Sequence, residues 1–129
     1  MTEDERITIV KQKARERCEA EYQGAQIHIT GVKELDPAQS WLRQDDPTNG
    51  IIDGVPTPNQ MWQVFVDINQ GERSGTMNAI AVCWYAGTKH ANLEKLPAEI
   101  VKDGIFAKEE TISVERIEVV HPWQFGEQV

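Results

Sequence analysis

A run of eight apolar residues places the strongest limit on what this chain can fold into. Residues 79–86 (AIAVCWYA) contain no charged side chain. Successive side chains of a β-strand point to opposite faces of the sheet, so this segment is apolar on both faces. A sheet with one face in water alternates apolar and polar residues instead. We therefore expect a central strand that is covered on both sides.

The preceding segment predicts the strand that pairs with it. Residues 61–68 (MWQVFVDI) carry only apolar side chains on one face, while the other face includes Gln63 and Asp67. This period of two is typical of a strand with one buried face. Polar residues 69–75 connect it to a strand over 76–86, which predicts a hairpin with a somewhat long loop.

The first residues predict an amphipathic helix over 3–23. Thr2 and Glu5 have the spacing of a capping box, in which each side chain bonds the backbone N–H of the other residue. Apolar residues then recur every three or four positions, which places them on one face of a helix. Gly24 follows where a helix commonly ends. The residues of the apolar stripe are Ile7, Val10, Ala14, Cys18 and Tyr22.

Strands are also predicted on either side of the hairpin. Residues 25–35 alternate around two isoleucines, with Gly31 as a candidate bulge. Asp36-Pro37 starts a turn or two of helix, because Asp caps a helix and Pro suits its first position. Residues 111–120 (TISVERIEVV) predict a last strand, which His121-Pro122 is expected to end.

The order of these elements predicts an α+β fold, with the N-terminal helix packed on a curved, mainly antiparallel sheet of about four strands. Residues 1–129 show no internal repeat and no domain boundary, so we expect a single domain. In element order alone the chain is similar to cystatin-like and NTF2-like domains. No residue motif of either family is matched, and a shared fold does not carry function.

The charge balance limits the class of partner. The chain has 13 basic and 21 acidic residues and a formal charge of −8. Binding to nucleic acid needs clustered Lys and Arg, and anionic membranes repel acidic surfaces, so we expect neither partner. A basic protein is the partner that this charge suits. The apolar runs are too short to cross a bilayer and the acidic N-terminus is unlike a signal peptide, so a cytoplasmic location is expected.

Sequence signatures of catalysis and cofactor binding do not occur. The two cysteines and three histidines lack metal-ligand spacing, and the glycines form no phosphate-binding loop. We expect no metal and no cofactor, and an enzyme is the less favoured class. His28, Asp67 and Tyr85 are the polar residues that could serve a pocket. A buried Asp67 would have a raised pKa and could transfer a proton.

A second set of residues is a candidate surface for a protein partner. Residues 44–59 have the composition of a long loop. Aromatic residues and Met are enriched at protein interfaces. Either the chain covers the second face of the sheet itself, or the aromatic residues and Met near that face form an exposed patch or pocket. The candidate partner-binding residues are Asp45, Asp46, Asp53, Trp41, Met61, Phe65 and Tyr85.

Two functions from different classes fit these observations. The first is a small acidic protein-binding domain that acts by occlusion, such as an immunity protein, an antitoxin-like neutraliser or a phage-encoded inhibitor of a basic partner. The second is an NTF2-like small-molecule-binding protein or enzyme, with a pocket between helix and sheet. A homodimer that forms through the second sheet face is a further hypothesis.

Overall fold

The computed structural model describes residues 1–41, 56–90 and 105–125, with side chains described as far as residue 118. Its elements are α1 (Glu3–Glu21), β1 (Gln26–Leu35), α2 (Pro37–Ser40), β2 (Gln60–Gln70), β3 (Arg73–Trp84), β4 (Lys89–His90), β5 (Ile105–Phe106) and β6 (Thr111–Phe125). Strands β1, β2, β3 and β6 lie in that order in one mainly antiparallel sheet, and β4 pairs with β5. The predicted α+β class is confirmed. The likeness to cystatin-like and NTF2-like domains stays a prediction.

Helix α1 begins as the capping box predicts. The Thr2 hydroxyl accepts a hydrogen bond from the Glu5 backbone N–H at 3.2 Å, and the Glu5 carboxylate accepts one from the Thr2 N–H at 3.4 Å. The helix ends at Glu21, two residues earlier than predicted, because the chain leaves helical geometry at Tyr22. Gly24 then takes a φ of 81°, which glycine adopts without steric cost. Among the described residues no helix combines the length and apolar character that a membrane span requires.

The chain divides into two compact units. The first unit comprises Met1–Glu34, Trp62–Ala81 and Ile112–Val129, and the second comprises Leu35–Met61 and Val82–Thr111. Each unit is described below by itself. The single-domain prediction stays a prediction.

In the first unit, α1 packs on the sheet, and the described side chains that fill the interior between them are fully buried. The buried residues of α1 are Val10, Ala14 and Cys18, which lie on the predicted stripe. On β2, alternate side chains from Trp62 to Ile68 are fully buried. The period of 3.6 along the helix and the period of two along the strand both direct apolar side chains into this interior.

Two arginines of α1 attach it to the two edge strands of the sheet. Arg15 donates from Nη1 to the Ile27 carbonyl of β1 at 2.7 Å, and Arg17 donates from Nη1 to the Val114 carbonyl of β6 at 3.2 Å. Residues two apart on a helix are separated by about 200° around its axis, so these side chains leave α1 on opposite sides. The helix is thereby held to both edges of the sheet.

Strand β3 is central, as predicted, and its residues 77–84 are all buried. It lies between β2 and β6 in the sheet. Even Asn78, the polar residue of this stretch, is only 8% exposed. This burial exists within a single copy of the chain, so covering both faces of β3 does not require a second copy.

The long hairpin loop predicted over 69–75 is wrong. Strand β2 continues to Gln70 and β3 begins at Arg73, which leaves only Gly71 and Glu72 in the turn. Gly71 has a φ of 63°, and two-residue hairpin turns require a positive φ at their first central residue. The polar residues around this turn are the ends of two paired strands, and their polarity resembled that of a loop.

The prediction that His121-Pro122 ends the last strand is also wrong, because β6 runs on to Phe125. Strand β6 is at the edge of the sheet. Proline lacks a backbone N–H, but an edge strand has one side without a neighbouring strand, so the loss need not break a ladder bond. The edge position of β6 therefore accommodates Pro122.

Candidate functional site

The second unit carries a small two-stranded ribbon, here called the β4–β5 ribbon and formed by Lys89, His90, Ile105 and Phe106. The two strands are antiparallel, with Lys89 opposite Phe106 and His90 opposite Ile105. Pairs of strands this short are marginal alone, so the ribbon depends on the residues that anchor it.

A turn and one alanine anchor the ribbon. The Thr88 N–H donates to the Tyr85 carbonyl at 3.1 Å, and Gly87, in the third position of this turn, has a φ of 82°. A glycine at that position is typical of a type II turn. Ala107 donates its N–H to the Thr88 carbonyl and accepts from the Gly87 N–H, both at 2.8 Å. Because Ala107 is also buried, the base of the ribbon is fixed.

Buried aromatic rings support the ribbon from one side. The rings of Trp41 and Trp84 meet edge to face with centroids 5.8 Å apart. The His90 ring lies 5.3 Å from the Trp84 ring, centroid to centroid. His90 is half-buried, and this contact covers part of its ring. The Trp41 indole N–H has no hydrogen-bond partner among the described residues.

Both residues of strand β5 in the ribbon are exposed. Ile105 is 53% exposed and Phe106 is 64% exposed. Among the described residues the other large hydrophobic side chain with such exposure is Met1, at the start of the chain. Covering a large apolar side chain fully is worth about 1.5–3 kcal/mol, so this pair can contribute to binding another molecule.

A polar network lies beside the ribbon at the end of β3. Asn59 accepts from the Tyr85 N–H at 2.8 Å through its side chain and donates its own N–H to the Cys83 carbonyl at 3.0 Å. The Cys83 thiol donates to the Glu110 carboxylate at 3.5 Å. Both Cys83 and Cys18 are buried thiols. The network fixes the backbone at the end of β3.

The predicted partner-binding residues fall into three groups. Trp41 and Met61 lie in the interior, at 2% and 0% exposure. Phe65 and Tyr85 are half-buried. The three acidic loop residues, Asp45, Asp46 and Asp53, lie outside the described residues. The structure places Trp41 next to Trp84, and the role of the whole set in binding stays a prediction.

The residues of the alternative pocket are divided between the two units. His28 is exposed on β1, while Asp67 on β2 is half-buried and accepts from the Thr76 hydroxyl at 3.4 Å. Tyr85 belongs to the other unit. The interior side chains of α1 and β2 named above have no solvent-exposed area. The ligand pocket between helix and sheet stays a prediction.

Chemistry at the other described polar sites is limited. A hollow of about 340 Å³ is lined by residues of the first turns of α1, which are Asp4, Glu5, Thr8 and Ile9. Burial, with the Glu21 carboxylate adding to it, raises the pKa of the Cys18 thiol to about 11 against the opposing effect of Arg17. This thiol is protonated at neutral pH and is a poor nucleophile. The described residues contain no group of three or more His, Cys, Asp or Glu that could hold a metal.

Sequence reasoning missed Ile105 and Phe106. Two residues are too short a segment to show a period, and the pair follows Asp103-Gly104, a dipeptide typical of turns. Comparison of the chain with protein-family models, with curated proteins and with solved structures finds no match.

Proposed function

We propose that this chain is a small acidic protein-binding domain that acts by occluding a basic protein partner, as an immunity protein, an antitoxin-like neutraliser or a phage-encoded inhibitor does. The observation that carries the proposal is the charge of the surface. Among the described residues, exposed acidic side chains outnumber exposed basic ones ten to five, and the whole chain carries −8. Opposite charge accelerates the encounter with a basic surface and disfavours acidic competitors.

The buried interior of the first unit also supports a function at the surface. Occlusion requires a complementary surface and no reacting groups, so it does not need a cavity between helix and sheet. We also propose a cytoplasmic location, since two buried thiols are compatible with a reducing compartment.

The test is affinity capture followed by neutralisation. The full chain is immobilised and exposed to extracts of the cells from which it comes, and retained proteins are eluted with increasing salt. We expect a basic protein that elutes at high salt, because salt screens attraction between exposed charges. The purified partner should lose its binding to heparin, a polyanion, when one equivalent of the chain is added.

Charge reversal of the acidic loop is the matched variant. Asp45→Lys with Asp46→Lys should slow association with that partner about tenfold at low salt and much less at high salt if the loop steers the encounter. Glu72→Lys, a single reversal in the exposed β2–β3 turn, is the control and should have a smaller effect. Failure to retain any basic protein, or a saturated partner that still binds heparin fully, would overturn the proposed function.

A further inference from the structure

The exposed pair on the β4–β5 ribbon occupies successive positions of one strand. Side chains of successive strand residues point to opposite faces, so Ile105 and Phe106 are exposed on both faces of the ribbon. A flat surface could cover only one of the two side chains. Covering both requires a cleft whose walls contact the ribbon from either side.

The ribbon is held in place before any partner binds. Ala107 makes two backbone hydrogen bonds at its base, and the His90 ring packs on the buried Trp84. A segment that is already ordered loses less conformational entropy on binding than a free loop does. The exposed pair is therefore suited to insertion as a rigid wedge.

Charge determines which occupant fits the wedge. A second copy of the chain would also carry −8 and would be repelled, and an anionic membrane would be repelled in the same way. The ribbon itself carries the half-buried Lys89 opposite Phe106, and next to it the exposed Lys108 is followed by two carboxylates, the exposed Glu109 and the half-buried Glu110. The net charge of −8 on the whole chain therefore favours a protein cleft with a basic rim.

We propose that Ile105 and Phe106 insert into an apolar cleft with a basic rim on the protein partner. This inference rests on the proposed function and names the surface through which that function is carried out. Aromatic side chains seated in such pockets commonly dominate binding energy, so Phe106 is the main anchor.

The experiment measures the affinity of the captured and purified partner for the full chain and its variants. Phe106→Ser should weaken binding about tenfold or more, and adding Ile105→Ser should weaken it further. Glu72→Ser, in the exposed β2–β3 turn, is the control and should bind within about twofold of the unchanged chain, as rim residues usually do. Circular dichroism and thermal unfolding should be the same for all variants, because both substituted side chains are exposed.

The two proposals fail in different ways. If the unchanged chain neutralises its partner and the Phe106→Ser, Ile105→Ser double variant binds equally well, the wedge is overturned and the proposed function stands. If no partner is retained at all, both are overturned.

Two further measurements test whether a second copy of the chain or a membrane, rather than a protein cleft, covers Ile105 and Phe106. Sedimentation velocity over a dilution series should show a monomer, whereas a dimer that Phe106→Ser dissociates would assign the pair to a second copy and overturn the proposal. Co-sedimentation with phosphatidylcholine and phosphatidylglycerol vesicles should show no binding. Vesicle binding that Phe106→Ser abolishes would assign the pair to a membrane and would also overturn it.

Discussion

The two units of this chain differ in where their large apolar side chains lie. In the first unit the large apolar residues of β2 and β3 are buried, apart from the half-buried Phe65, and the exposed large hydrophobic residue described there is Met1 at the chain start. The second unit also buries aromatic residues, Trp41 and Trp84, yet it leaves Ile105 and Phe106 exposed on adjacent positions.

This difference separates residues that stabilise the fold from residues that remain available for binding. Apolar area that is already buried stabilises the fold, and binding a partner cannot remove it from water a second time. An exposed apolar pair contributes little to folding, and its removal from water is still favourable. The first unit is therefore where substitutions should alter stability most, and the ribbon is where they should alter binding.

The sharpest test of this comparison sets Trp62 against Phe106. Trp62 is fully buried in β2, so Trp62→Ala should lower the free energy of unfolding by about 3–5 kcal/mol through lost burial and a cavity. Phe106→Ala should change it by less than about 0.5 kcal/mol, as exposed substitutions do. Urea unfolding followed by circular dichroism measures both. Equal losses would abolish the distinction between the two units.

A second prediction concerns the buried interior around Cys18 and appears in the pH dependence of stability. The folded pKa of about 11 exceeds the 9.0 of an ordinary thiol. Below pH 9 both states hold the proton, and the stabilising contribution is fully present. Between pH 9 and 11 only the unfolded chain releases the proton, so the free energy of unfolding falls by about 1.4 kcal/mol per pH unit.

The matched variant for this prediction is Cys18→Ala, which has no thiol to titrate. The unchanged chain should lose about 2–3 kcal/mol more than Cys18→Ala between pH 9 and 11, and the difference should stop growing above pH 11. Chemical denaturation at a series of pH values measures it. Parallel curves for the two proteins would mean that water reaches Cys18 in the folded state.

Two glycines, one in each unit, allow the backbone of the two units to be compared through the stability cost of a Gly→Ala substitution. Gly87 supports the ribbon with a φ of 82°, so Gly87→Ala should cost about 1–2 kcal/mol. Gly31 in β1 has no positive φ, and an added Cβ would meet Phe65 Cδ2 at an ordinary 3.7 Å. Gly31→Ala should therefore be neutral or stabilising by up to about 1 kcal/mol. Thermal unfolding of both variants decides this, and a costly Gly31→Ala would show that β1 needs glycine.

Periodicity predicted the elements whose side chains alternate between core and solvent over many residues. The stripe of α1 and the two-faced burial of β3 are such cases, because each repeats a contact with the interior several times. The predictions for the β2–β3 turn and for the end of β6 were wrong. The polar ends of β2 and β3 resemble a loop in sequence. Pro122 is accommodated because β6 lies at the edge of the sheet, and that position depends on the whole sheet rather than on the local sequence.

The candidate site could be predicted less well for a related reason. Trp41 was a candidate partner-binding residue because composition alone does not distinguish a core tryptophan from one at an interface. The exposed Phe106 lies in a two-residue strand that pairs only with another two-residue strand. The position of Phe106 depends on the turn at Gly87 and on the hydrogen bonds of Ala107. No local sequence pattern connects Phe106 with that turn.

The arginines of α1 give the smallest expected effect and test how the helix is held to the sheet. Arg17→Ala removes the hydrogen bond to the Val114 carbonyl and an ion pair with Glu21 at 2.8 Å, and should cost about 1 kcal/mol. Arg15→Ala should cost less, because Arg15 is more exposed and its bond competes more with water. Lys13→Ala, an exposed position of the same helix, is the control and should stay within about 0.5 kcal/mol.

The double variant shows whether the two attachments are independent. Arg15 and Arg17 reach opposite edge strands, so their effects in urea unfolding should add to within about 0.5 kcal/mol. A loss clearly larger than the sum would mean that freeing one edge lets the helix move away from the other. In that case α1 and the sheet would form a single cooperative contact, and stability in the first unit would depend on the position of the helix as much as on the buried side chains beneath it.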